Sequence, residues 1–109
     1  MCNFKIINSN SFGCVVVCSG CDHLHLGFGN LLVAYNAKEF LRFVKKVQNT
    51  YDSNYAEMLL SGDKIYFKTE CENMVIAFNT DELKSLYELL TEAALMLQVN
   101  YLLYENNKN

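Results

Sequence analysis

The chain has no proline and no tryptophan, and only five of its 109 residues are glycine. Flexible linkers and disordered arms draw on proline and glycine, so their scarcity leaves a single domain over 1–109, with a first half of about 1–52 and a second of about 53–109. No apolar run of about 18 residues is free of charge, since Glu88 and Glu92 interrupt the longest one, and a membrane span is not expected. Basic residues are also few. Nine Lys and Arg against 12 Asp and Glu give a net charge of −3, so nucleic acid is an unlikely partner by charge alone. Hydrolase signatures are missing too: there is no Gly-x-Ser-x-Gly, no phosphate loop and no pair of carboxylates set apart from surface charge. The opening residues Met1 to Lys5 lack the basic and long apolar regions of a secretory signal, and Cys2 has no apolar stretch before it as a lipoprotein site would. The expectation is a cytoplasmic protein, where five cysteines serve as thiols or metal ligands rather than as a disulfide framework.

What is present reads as strands and two helices. Residues 3–8 suit a short strand and Gly13 to Cys18 a better one, in which Val15 and Val17 share a face. After a turn at Ser19-Gly20, Leu24, Leu26 and Phe28 alternate with His23 and His25, so that strand turns an apolar side to the core and a histidine side outward. A further strand covers Leu31 to Tyr35. Asn36 then caps a helix, with Glu39 in capping-box position and Phe40, Phe43, Val44, Val47 and Tyr51 as its buried stripe. Lys38, Arg42, Lys45 and Lys46 lie opposite that stripe, a solvated face or one that meets an acidic partner.

The polar run Asp52-Ser53-Asn54 reads as a turn, followed by strands over 55–60, 64–69 and 74–78 and a helix over 81–104. At an offset of 43 residues, Asn30 to Phe40 matches Asn73 to Leu83 in the turn Asn, the strand pattern, the capping Asn and the capping Glu. The expected fold is therefore α+β, a tandem βββα-βββα repeat about a pseudo-twofold, with an antiparallel sheet and two helices on one side. On the last helix, Leu83, Leu86, Leu89, Leu90, Ala93 and Leu97 point inward, but Leu95, Val99, Leu102 and Leu103 continue the outer line begun by Glu88 and Glu92. Such a surface predicts a homodimer, or a larger symmetric assembly, through the C-terminal helix, unless the N-terminal strand folds back over it.

Chemistry, if any, is concentrated between Cys14 and Asn30, which hold three of the five cysteines and both histidines. Cys18-Ser19-Gly20-Cys21 puts two thiols across a tight turn, as a zinc knuckle does, and four ligands are needed to close such a site. The candidates for the others are Cys71, His23, Cys14 and Cys2. Cys71 is favoured if two antiparallel halves bring its turn to the knuckle, and His23 because it follows at once on the next strand. Cys14 would lie about 13 Å from Cys18 along an extended strand. The predicted metal set is Cys18, Cys21, Cys71 and His23, with zinc as the metal. A redox Cys-x2-Cys would call for a helix N-terminus where a strand follows here. The triplet Cys14-x3-Cys18-x2-Cys21 also matches that of radical S-adenosylmethionine enzymes, whose repeated strand-helix barrel needs about twice this length.

Gly13-Cys14-Val15-Val16-Val17-Cys18-Ser19-Gly20-Cys21 running into Leu26-Gly27-Phe28-Gly29-Asn30, with Cys71 ahead of the helix that begins Asp81-Glu82-Leu83, resembles a small uncharacterised domain-of-unknown-function family of Bacteroidetes bacteria. The resemblance implies that Cys18, Cys21 and Cys71 act together, and it implies no activity. Two function classes stand: a non-enzymatic metal-binding (zinc-knuckle-like) or protein-interaction module, and a small thiol-dependent redox protein or enzyme using Cys18 or Cys21.

Overall fold

The structure, a computed structural model, describes residues 4–18, 20, 23–69 and 71–106, with 99–106 as helical backbone only. The elements in chain order are β1 (Phe4–Ser9), β2 (Gly13–Cys18), β3 (His23–Phe28), β4 (Leu31–Tyr35), α1 (Ala37–Ser61), β5 (Ile65–Lys68), β6 (Val75–Phe78) and α2 (Thr80–Asn106). The α+β class holds, with four antiparallel strands in the order β1-β2-β3-β4 and a separate antiparallel pair β5-β6. The expected single sheet is thus two.

Strand alternation sorts the four-stranded sheet into two faces. Val15, Leu24, Leu26 and Phe28 are buried on the inner face, against a helix layer in which α2 lies along β1, β2 and β6 while α1 lies along β3 and β4. No layer covers the outer face among the described residues, and it carries Phe4, Ile6 and Leu32, all more than 60% exposed. In β1 the register against β2 shifts between Ile6 and Asn8. This bulge turns both Ile7 and Asn8 inward, so that Ile7 is buried and the Asn8 amide donates to the Leu89 carbonyl (3.1 Å) and to Glu92 (3.1 Å) on α2.

The halves do not each hold three strands. The segment 55–60, read as a strand after a polar turn, is the continuation of α1, which runs unbroken for 25 residues to Ser61. Nothing in Asp52-Ser53-Asn54 prevents a helix: Asp52 and Ser53 are exposed, and Asn54 is half-buried with its amide donating to the Thr50 carbonyl (3.0 Å). The apolar stripe continues through them as Phe40, Val44, Val47, Tyr51, Tyr55 and Met58, at spacings of three and four. Tyr51 stacks on Tyr55 (ring centroids 4.5 Å apart) and on Tyr87 of α2 (4.1 Å), pinning the helix where a turn was expected. What stops α1 is Gly62, at φ 74°, whose N–H donates to the Met58 carbonyl (2.8 Å).

Likeness between the halves is confined to strand, cap and helix. The Glu39 N–H donates to the Asn36 side-chain oxygen (2.8 Å) and the Asn36 N–H to the Glu39 carboxylate (2.9 Å), and Asn79 and Glu82 do the same at 2.8 Å each, so both expected capping boxes form. The hairpins differ, since β3 and β4 are joined by Gly29-Asn30 and β5 and β6 by residues 69–74. On α2, Leu95 is 57% exposed, as its outward position required. Val99, Leu102 and Leu103 lie beyond the residues whose side chains are described, so the expected dimer surface is described only at its start. Among the described residues no helix is long and apolar enough to cross a membrane.

Two glycines separate two kinds of cost. A Cβ on Gly13 would meet the Gly27 carbonyl oxygen and come within 2.9 Å of the Phe28 Cα, all backbone, whereas one on Gly62 would meet nothing within 4 Å but would sit at positive φ. Gly13→Ala is expected to lower unfolding free energy by roughly 2 kcal/mol or more, and Gly62→Ala by about 1 kcal/mol. Urea titration of both variants checks the order, and equal losses would contradict it.

Candidate functional site

The residues expected to bind metal are only partly brought together. Cys18 ends β2, 1% exposed, and its register partner on β3 is His23, which is exposed. Cys21 and Cys2 lie outside the described residues. Cys14 is the second residue of β2, on its outer face opposite Gly27. Cys71 is exposed in the β5–β6 loop, where its N–H donates to the Thr69 hydroxyl (3.1 Å) and its carbonyl accepts from Met74 N–H (3.1 Å). It belongs to the other sheet. Docking of two three-stranded halves would have placed it at the Cys18 turn, but among the described residues the second half holds two strands, in a sheet separate from that of β2. Among the described residues no three His, Cys, Asp or Glu side chains are grouped to hold a metal ion. His25 faces outward and meets Phe4 edge-on, with ring centroids 5.7 Å apart.

A different site lies where the two sheets fail to join. A groove of about 490 Å³ is bounded on one side by all of β4, on the other by Phe67 and Lys68 of β5 and Ile76 of β6, and along α1 by Arg42, Phe43 and Lys46. That volume is within the range of about 300–1,000 Å³ usual for ligand pockets. Its floor is aromatic. Phe43 stacks on Tyr35 at 5.5 Å and meets Phe67 edge-on at 6.2 Å, and Phe78 joins Phe67 (5.3 Å) to Phe28 (5.8 Å), so rings link the sheets where backbone bonds do not.

The backbone along the groove can be oriented. Gly29 N–H donates to the Phe12 carbonyl across β2 (2.9 Å), so by antiparallel alternation the polar groups of Phe28 turn the other way, toward Leu31 on β4. Continuing the alternation, Leu31, Val33 and Tyr35 bond to β3, while the N–H and C=O groups of Leu32 and Ala34 point away from it. They face the groove. β4 is the sheet's last strand, and among the described residues no strand pairs with that side. Electrostatically the groove is basic. Arg42 and Lys46 follow one another by one helical turn, and the Lys46 Nζ sits 5.4 Å from the centre of the Phe67 ring. Glu39 also lines the groove, but one of its oxygens accepts from the Asn36 N–H in the capping box.

A family model spans residues 1–109 in full, under the description "Family of unknown function (DUF6686)". The chain belongs to that family. Comparison with curated proteins and with solved structures gives no match for this DUF6686 chain. Sequence reasoning missed the groove, although two of its residues, Arg42 and Lys46, were in the basic stripe singled out on the first helix.

Cys18 and Cys71 should respond oppositely to removal of sulfur. Cys18→Ser is expected to cost about 1–3 kcal/mol by placing a hydroxyl in a buried site, and Cys71→Ser less than about 0.5 kcal/mol. Thermal melts of the two variants read this directly, and a Cys71→Ser protein as damaged as Cys18→Ser would restore a shared role.

Proposed function

We propose that this DUF6686 protein is a non-enzymatic protein-interaction module that takes an extended polypeptide as an added strand along β4. What carries this reading is that β4 ends its sheet beside a largely apolar groove, with the outward-turned peptide groups of Leu32 and Ala34 paired to no strand among the described residues. An extended chain there would hydrogen-bond to β4 at alternate residues, and its side chains would fall alternately on the aromatic floor and on the outer face. Over the five residues of β4 it would run about 17 Å. The groove is preformed, since the aromatic floor fixes both walls, so binding need not order the receptor.

A repeated strand-and-capped-helix unit is consistent with this arrangement. The Gln48 amide donates to the Thr91 hydroxyl (3.2 Å), and these two residues stand 43 apart, the offset of the sequence match. Residues equivalent under a twofold meet in this way only near its axis. Two such units side by side would each end in a strand edge, with the gap between them.

A second reading is favoured by the placement of Cys18 opposite His23. With Cys21 between them in the sequence, the three would offer zinc an incomplete set, with Cys71 taking no part. Elemental analysis of protein purified without chelator tests it. A metal-free preparation whose melting point ignores both zinc and chelator removes this reading and leaves the groove untouched.

Strand addition is tested by proline. Ala34→Pro deletes an N–H on the groove side and keeps the β3 pairing, a substitution edge strands accept. Short random peptides selected on the wild-type protein are expected to bind Ala34→Pro at least about tenfold more weakly, a loss of about 1.4 kcal/mol. Their binding should slow amide exchange at Leu32 and Ala34. Selected peptides that bind the variant equally well, or that protect no β4 amide, would show that β4 does not receive a strand.

A further inference from the structure

We infer that the strand entering the groove carries a carboxylate, and that Arg42 and Lys46 of α1 are the groups that receive it; this rests on the strand-addition reading above. Both cations line the groove beside Phe43, and Lys68 adds a third from β5. Against them stands Glu39 alone, already an acceptor for the Asn36 N–H. Among the described residues, neither Arg42 nor Lys46 is held by a carboxylate of the chain itself. The cations therefore bias the groove toward a negatively charged occupant, in a protein whose net charge is −3.

Geometry narrows the ligand further. Along an extended peptide, side chains alternate between the helix layer and the outer surface, so only every second residue meets α1. Arg42 and Lys46 are separated by one turn, about 6 Å, close to the spacing of about 7 Å between residues i and i+2 of a strand. Two carboxylates on one face of the peptide, at i and i+2, match the two cations, or one carboxylate is shared between them. An arginine fork receives a carboxylate through two parallel bonds, while the lysine, resting against the Phe67 ring, acts as a point charge. The aromatic floor would accept an apolar neighbour on the same face.

The carboxylate can come from a side chain or from the peptide's own C-terminus. Labelled valine-rich extended peptides with glutamate at alternate positions, their glutamine and lysine counterparts, and free-acid and amidated forms of each distinguish these by fluorescence anisotropy. The glutamate peptide is expected to bind at least about fivefold more tightly than the glutamine one, with the lysine peptide weakest, and the preference should shrink in salt of about 1 M, where the screening length is about 3 Å. Arg42→Glu, at an exposed helical position, should reverse the order, and Lys46→Gln should weaken it without unfolding the protein. A preference that follows amidation rather than the side chain assigns the site to a terminal carboxylate. Equal binding of glutamate and glutamine peptides, unmoved by Arg42→Glu, overturns the carboxylate while the Ala34→Pro result still stands for the strand. Failure of every peptide to bind overturns both.

Discussion

Phe40, Val44 and Val47 on α1 and Leu83, Leu86 and Leu90 on α2 are all buried, and the seam they share, closed by the Tyr51–Tyr87 stack and the Gln48–Thr91 bond, is where both sheets are anchored. A two-stranded sheet such as β5-β6 is marginal by itself in water. It persists here because Phe67 and Phe78 are buried against the helices, and the same helices bury the inner face of the four-stranded sheet. No backbone pairing joins the two sheets among the described residues: each is fixed to the helix pair, and the Phe28–Phe78 ring contact is what they share. The gap between β4 and the hairpin follows from that mode of attachment, and so does the open backbone edge along it.

Local signals in the chain were legible where one residue type has one physical use. The alternation Leu24, Leu26, Phe28 placed β3 and its faces correctly, and Asn36 with Glu39, like Asn79 with Glu82, marked two helix starts that form the bonds expected of them. At Asp52-Ser53-Asn54 the chain forms helix where three polar residues in a row suggest a turn. Polarity at a helix surface looks the same in sequence, and the spacing from Tyr51 through Tyr55 to Met58 was the signal that separates the two. Once α1 absorbs 55–60, Ser61-Gly62 becomes a helix stop, and the second half has two strands.

The strand count also bears on the expected metal site. Docking of two equal halves was the ground for bringing Cys71 to Cys18, and the halves are unequal, with Cys71 on the β5–β6 hairpin. The groove was illegible for a different reason: it is made by what β4 lacks on one side, and the absence of a neighbour is a tertiary fact that no residue of β4 encodes. Arg42 and Lys46 were visible as charges on a helix. Only the placement of Phe67 beside Lys46 turns them from a solvated face into part of a concave surface.

The four-stranded sheet has two outer edges, and they are not alike. At β1 the bulge at Ile7 breaks the run of paired residues and Asn8 is tied down to α2, so a strand arriving there would find its ladder interrupted; at β4 the ladder is even. A molecule receptive at both edges would propagate, each copy templating the next into a fibre. With one edge blunted, a strand added at β4 would end growth instead of continuing it, because the far edge of the same sheet offers the next copy no even ladder.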